Sequence, residues 1–320
     1  DTFKELRLTI FKSPTNSVVR NILINNARCV GMAPGHMHNM LFEDIEFTRN
    51  GQSGAYSAMD AEDGWDGMQD VTFRRLNFHD NHRNDFLTCS GHNFIVEDMI
   101  AGNLHIYGRT NSFVYENNTK NTKAQLTIFA ADRARNGYYR VQNNNLMSAR
   151  LKTDGEQYQT KNWPQIVRNS TFTRQTFGEV TFEESTFKFK YFAGKFYDCI
   201  FDADPTVTST REVNLGSGYY ERCTINGARG ENTGGYYKNC VIKDISGNLH
   251  NTMEIHDSTV TNFQVGIGTY DPHLYIDNSN LTNVKLNGGY WGVGHYAEIK
   301  NSTITLSDSL YRLPHYSLKW

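Results

Sequence analysis

FYDCIFDADPTVTSTREVNLGSGYYERCTINGARGENTGGYYKNCVI, residues 196–242, holds one short phrase three times: FYDCIF at 196, YERCTI at 220 and YKNCVI at 237. Each copy opens on an aromatic residue, passes a polar third residue, continues with Cys and closes on an apolar residue. Apolar and polar residues alternate within it, a period of two that signals a strand; no 3.6-residue period competes. A phrase that returns at such short intervals marks a repeat architecture, which has to be recognised before single elements are assigned.

Working outward in both directions, the phrase recurs as VRNILI (19–24), FEDIEF (42–47), FRRLNF (73–78), VEDMIA (96–101), YENNTK (115–120), VQNNNL (141–146), VRNSTF (167–172) and FEESTF (182–187). After residue 242 it continues as IHDSTV (255–260), IDNSNL (276–281) and IKNSTI (299–304), which makes fourteen copies. The steps from one copy to the next are irregular, but most suit one turn of a three-sided solenoid. The third residue is Asn or Asp in eleven of the fourteen. Those two residue types tolerate a left-handed backbone better than other non-glycines, so the third place is expected to bend the chain at each coil.

Places four and six then point inward, where coils stacked about 4.8 Å apart set like over like. Ser170, Ser185, Cys199, Cys223, Cys240, Ser258, Ser279 and Ser302 should form one interior column. Phe172, Phe187, Phe201, Ile225, Ile242, Val260, Leu281 and Ile304 should form another. Three of the five cysteines are thereby core thiols, and the chain has neither a CxxC pair nor a zinc spacing. The ladder likewise accounts for the NST triplets at Asn169 and Asn301, which match a glycosylation sequon. The copies that start at 167, 182 and 196 follow one another too closely to leave room for three strands and three turns, so the cross-section is expected to change near the middle. The resulting division is 1–165 for a main solenoid, 166–200 for a short-coil transition and 201–320 for a second solenoid segment, a subunit-contact or sugar-binding strip. In that last segment GSGYY (216–220), TGGYY (233–237) and NGGYWGVGHY (287–296) set aromatics after glycine turns, where stacked tyrosines would brace successive coils.

Charge is almost balanced, 32 basic against 34 acidic residues, with no basic block of the kind that follows phosphate backbones. Nucleic acid is therefore an unpromising partner. No apolar run reaches the roughly 20 residues of a membrane span, so no membrane insertion is expected. The first residues, DTFKELRLTIF, lack a signal-peptide core and an initiator Met and read as the start of a processed or excised piece.

Because a solenoid core is uniform, chemistry is sought where side chains project outward and connections are long. The longest step, from the copy at 42 to the copy at 73, contains YSAMDAEDGWDG (56–67). Met59 and Ala61 alternate with Asp60 and Glu62, which sets the two carboxyls on one outward face about 7 Å apart. Asp63 and Asp66 fall in the following turn. Counting back equally from the anchors Phe73 and Val96 reaches Glu62 and Asp85, which makes these two neighbours in adjacent coils. Carboxylates so stacked cannot both ionise cheaply, and Asp60, Glu62 and Asp85 are the candidates for glycoside cleavage, with Glu62 or Asp85 as general acid and the other carboxylate as nucleophile or base. The same three would be the ligands if a divalent cation such as Ca²⁺ were used, and no cofactor is otherwise indicated. Extending the alternation points His105, Tyr107 and Arg109 outward, then Phe129, then Lys152. Together with Trp65 they make a face suited to an elongated polar glycan. His79 and His82 read first as loop histidines, with His82 held as a candidate contact. A plain polar turn remains the alternative for the acidic stretch.

The Asn-rich ladder, the irregular coils, six prolines and the mid-chain change of coil length together resemble the right-handed parallel β-helix of pectate-lyase-like proteins. In texture the chain is similar to the tailspikes and neck appendages of phages that attach to Gram-positive cell walls. The resemblance implies an all-β solenoid of about fourteen coils, a homotrimer located on the virion tail or otherwise outside the cell, and a bacterial surface polysaccharide or teichoic acid as ligand. It implies cleavage by a glycosidase, a phosphodiesterase or a pectate-lyase-type lyase, but supplies no catalytic string: the paired-Asp, His and RxK pattern of polygalacturonases is missing. A noncatalytic adhesin and a purely structural shaft are the readings from other classes.

Overall fold

A computed structural model describes residues 13–52, 57–62, 67–129, 139–152, 165–172, 181–188, 190–192, 194–202, 213–215, 218–267, 273–288, 296–307 and 317–319. Among them there is no helix; the chain is all-β, and its strands stack in parallel, the arrangement a parallel β-helix is built on. Two compact units divide it, one of Asp1–Arg140 with Asp154–Pro164 and one of Val141–Thr153 with Gln165–Trp320.

The repeated phrase is the unit of stacking. In the first unit Val19 pairs with Phe42, Phe42 with Phe73, Phe73 with Val96 and Val96 with Tyr115. In the second, Val167, Phe182, Phe196, Tyr220, Tyr237, Ile255, Ile276 and Ile299 follow one another in the same way. The closely spaced copies at 167, 182 and 196 are thus direct neighbours, in register. Every one of the fourteen third residues has a left-handed backbone, from Asn21 at φ 58° to Asn301 at φ 48°, including Arg75, Glu184 and Arg222, which are neither Asn nor Asp. Arg75 and Arg222 fit there because each guanidinium reaches the corner acid of the coil before, Arg75 to Asp44 and Arg222 to Asp198.

The two interior columns are present. Ser170, Ser185, Cys199, Cys223, Cys240, Ser258 and Ser279 are buried, as are Phe172, Phe187, Phe201, Ile225, Ile242, Val260 and Leu281; only Ser302 and Ile304, in the last copy, are half-exposed. Each serine hydroxyl donates to a carbonyl two residues back and accepts the amide of the column member before it, as Ser258 N–H to Ser279 Oγ at 3.1 Å. Around the short coils, places one and six are filled by rings. Phe172, Phe187 and Phe201 stack in one file and Phe182, Phe196, Tyr220 and Tyr237 in another, with centroids 4.8–5.1 Å apart. The two files meet edge to face, Phe187 on Phe196 at 90°, a herringbone of flat side chains. One copy departs from the pattern. In YENNTK the sixth residue, Lys120, is exposed, and the interior place passes to the next residue, Asn121, whose amide donates to Ala101 O at 2.8 Å.

A second series of left-handed corners, absent from the sequence reading, runs through Asn16, Asn39, Asp70 and Asn93. Asn39 donates to Asn16 and Asn93 to Asp70, so the bend and the bond to the neighbouring coil come from one side chain.

Candidate functional site

Ser57–Ala61 lies in register on the first half of Asn84–Glu97, which lies on Asn103–Glu116 and then on Gln125–Phe129. Met59, Ala61, Phe86, Thr88, Leu104, Ile106, Leu126 and Ile128 are buried; of the residues that alternate with them, Asp60, Cys89, His105 and Thr127 are half-buried, Glu62 and Tyr107 are exposed, and Leu87 is buried. The register sets Asp60 beside Leu87, Leu87 beside His105 and His105 beside Thr127. Glu62, Cys89 and Tyr107 lie two residues further along each strand. A bulge follows Thr88, which opposes Ile106 while Ser90 opposes Arg109, and it shifts this last part of the face by one residue.

Ligating atoms of Asp60, Glu62 and Cys89 all lie within 4.8 Å of one another. Asp60 is half-buried, and its Oδ1 is shielded from water with no hydrogen-bond partner among the described residues. Burial, reinforced by the charge of Glu62, raises its pKa to about 6. Burial likewise pushes the His105 imidazole below its ordinary value. The ring centroids of His105 and Tyr107 are 6.2 Å apart, and Tyr107 is 38% exposed, an aromatic side chain on the same face with one strand between it and the acids. A carboxyl that keeps its proton to mildly acidic pH, with an oxygen within 4.8 Å of a second carboxyl, is the arrangement from which one group can donate a proton while the other acts as base or nucleophile.

Asp85 is not the neighbour of Glu62. Equal counting back from Phe73 and Val96 assumed equal corners, yet eight positions separate Ala61 from Gln69 where only four separate Thr88 from His92. The longer corner moves the register by four residues and puts Cys89 where Asp85 was expected. Asp85 itself is buried, accepting Gly102 N–H at 2.5 Å and Asn81 Nδ2 at 3.0 Å. It closes a polar ladder in which Ala27 N–H binds Asn50 Oδ1 and Asn50 N–H binds Asn81 Oδ1. Burial raises the Asp85 pKa against those hydrogen bonds, which favour the charged form. Its two oxygens are occupied with holding coils together.

The exposed His82 sits in the corner before Asn84, where its backbone amide donates to Asn50 O. Trp65, with Asp63 and Asp66, lies outside the described residues. Arg109, Phe129 and Lys152 belong to the strands Asn103–Glu116, Gln125–Phe129 and Ser148–Lys152, and their side chains lie outside the described residues. Sequence reasoning missed the half-buried Cys89, although alternation from the buried Thr88 would have turned it outward. The tyrosines of GSGYY and TGGYY divide between core and surface. Tyr220 and Tyr237 are buried, while the half-exposed Tyr219 and Tyr236 stack with planes 5° apart and centroids 5.0 Å apart. Rings stacked this way cover one another's faces and leave their edges outward, the form of a brace rather than of a sugar platform.

The donor set does not suit the calcium ion that the resemblance implies. Calcium takes six to eight oxygens, and here two carboxyls meet a thiol, with the third carboxyl engaged elsewhere. The fold and the face together define a class: an all-β stack of parallel strands with an acidic pair, one carboxyl half-buried and the other exposed, on an outward face that also carries aromatic side chains. No protein-family model matches the chain, no curated protein does, and no solved structure does.

Proposed function

We propose that this chain binds and hydrolyses a bacterial surface glycopolymer, capsule or teichoic acid, as a phage tailspike- or appendage-like protein displayed outside the cell, assembled as a homotrimer on a pectate-lyase-like, right-handed β-helix of about fourteen coils that changes cross-section at the short coils. The observation that carries the chemistry is the Asp60–Glu62 pair. Asp60 keeps its proton to about pH 6 and serves as general acid; Glu62 serves as nucleophile or base. Their approach within 4.8 Å belongs with retaining hydrolysis, for which carboxyls stand roughly 5–5.5 Å apart, and is too close for the roughly 6.5–9.5 Å that admits a water in inversion. Cation-dependent elimination loses ground because the acids do not converge on an oxygen cage. Tyr107 and His105, outward on the same face one strand beyond Leu87 and Cys89, would contact the sugar.

Purified protein incubated with a panel of capsules and teichoic acids, with and without chelator, tests this. Expected are new reducing ends insensitive to chelator, and retained anomeric configuration in the first product seen by proton NMR. Asp60→Asn and Glu62→Gln should each lower kcat at least a hundredfold in a folded chain, whereas Asp85→Asn should lower stability and leave kcat within a few-fold. Unsaturated products would overturn hydrolysis. Undiminished cleavage in the Asp60 and Glu62 variants would overturn the site, and binding without cleavage would leave an adhesin.

A further inference from the structure

Cys89 is the group on the candidate face that the proposed cleavage leaves unused. Cys199, Cys223 and Cys240 sit in the interior column of the second unit, each thiol against two backbone carbonyls, where they serve as small packing groups. Cys89 belongs to neither interior column. It is half-buried on Asn84–Glu97, the strand with which Ser57–Ala61 pairs, and the register there brings its thiol to the two acids. The chain has 34 acidic residues, 11 histidines and 5 cysteines, yet among the described residues this is the only place where ligating atoms of three such side chains converge. Two of the three come from one strand and the third from its neighbour, so it is the pairing register that assembles them.

The three ligating atoms all lie within 4.8 Å of one another. Ligands held about 2.0–2.3 Å from a tetrahedral ion stand roughly 3.5 Å apart, so side-chain movements of about 1 Å close the three on one centre. The donor types then select the ion. Calcium takes oxygens alone and needs six to eight of them. A borderline-soft divalent ion of the zinc class accepts sulfur and carboxylate oxygen together, and three protein ligands with one open position suffice for it. Asp60 Oδ1 supplies a separate reason for a cation: it is shielded from water with no hydrogen-bond partner among the described residues, and a buried oxygen in that condition gains more from a positive ion than one already accepting a donor. We propose that Asp60, Glu62 and Cys89 bind one thiophilic divalent cation, zinc in preference to calcium, and that the bound ion stops cleavage by taking the carboxyl oxygens the reaction needs. Binding exchanges the thiol proton for the metal: the Cys89 S–H bond breaks, a sulfur–metal bond forms and the proton passes to the buffer, with no change of oxidation state. The metal site stands without the proposed function; its inhibitory effect rests on that reading.

Calorimetric titration of the purified full chain with zinc chloride tests it. Expected are one ion per chain, a heat that varies with the buffer because a proton is released, and no displacement of the ion by about a hundredfold excess of calcium. Cobalt(II) in place of zinc should give a sulfur-to-cobalt charge-transfer band in the near ultraviolet. Cys89→Ser is expected to abolish that band and to weaken zinc binding about tenfold or more, with unchanged far-ultraviolet circular dichroism. Should that variant fail to fold, Glu62→Gln, on an exposed side chain, is expected to weaken zinc by a similar factor. Zinc should also halt release of reducing ends by the wild type, chelator should restore it, and Cys89→Ser should resist zinc at the concentration that halts the wild type. Absence of stoichiometric zinc binding, calcium bound as tightly as zinc, or a folded Cys89→Ser with wild-type affinity and an intact cobalt band overturns the site. Zinc bound through Cys89 with cleavage undiminished overturns the inhibition. A chain that binds zinc through Cys89 but cleaves nothing, with or without chelator, overturns the proposed hydrolysis and leaves the metal site standing, so the two failures are told apart.

Discussion

At the scale of the residue, the third place of the phrase is decided by backbone geometry more than by side-chain chemistry. All fourteen residues there are left-handed, and eleven are the types that take this conformation with little strain. The three exceptions differ in their compensation. Arg75 and Arg222 each make a two-pronged ion pair with the corner acid of the preceding coil, which holds the Asp44 and Asp198 carboxyls below their usual range. Glu184, at φ 49°, has no corner arginine before it in the ladder, where Asn169 stands. Glu184→Asn should therefore stabilise the protein by about 1 kcal/mol, since it keeps the bend and removes most of the steric penalty. A urea midpoint that stays put or falls would contradict the argument. The corner was legible in the sequence because its Asn and Asp recur at one place in the phrase. The second series, Asn16, Asn39, Asp70 and Asn93, was not, since the residues around it do not share a phrase and only the pairing register aligns them.

At the scale of the element, each strand is held to the next through the small fourth residue as well as through the ladder. Ser258 N–H has turned inward with the corner, and Ser279 Oγ is the acceptor it finds. Ser279→Ala leaves that buried amide unpaired and should cost about 1–3 kcal/mol, read as a shift of the chemical-denaturation midpoint. Ser279→Cys should cost less than Ala, because Cys199, Cys223 and Cys240 fill the same place and direct their thiols to carbonyls of the coil before. Equal losses for the two substitutions would mean that volume, not hydrogen bonding, governs the column. Alternation along the strands was read correctly from sequence as far as Ile128, and so were the outward Asp60 and Glu62 and the outward His105 and Tyr107. What failed was alignment between strands. Asp85 was set beside Glu62 by counting from anchors, and counting cannot see that the corner after Ala61 is four residues longer than the one after Thr88. Corner length is a property of turns, whose residues obey no period, so a catalytic partner inferred across a corner is only as good as the assumed corner.

At the scale of the whole chain, the charged groups pull stability in opposite directions as pH changes, and Asp60 gives that balance a testable sign. Asp44 and Asp198 have lowered pKa values, so what they add is present above the ordinary carboxylate range and is lost as acid titrates them. Asp60 is the reverse case. Its folded pKa of about 6 lies above the unfolded value of 3.8, so between those limits the folded state binds more protons than the unfolded state. Stability from this site is full below pH 3.8, falls as pH rises towards 6 and changes no further above it. His79, hydrogen-bonded to Asp80 and Glu46, is raised as well, and its contribution is lost as pH rises through its elevated value. Asp60→Asn removes the carboxyl while leaving a side chain of the same shape. Relative to the wild type, the variant should gain stability at about pH 7, where the wild type holds a half-buried charge, and should lose most of that gain at about pH 4.5. Denaturation midpoints of the two proteins at both pH values measure the difference of differences, from which Asp44, Asp198 and His79 cancel because both proteins contain them. A variant whose advantage is the same at both pH values would show that Asp60 titrates like an ordinary surface carboxylate. In that event Asp60 would carry no proton at the pH of cleavage, and its role as general acid would fall together with the pH dependence.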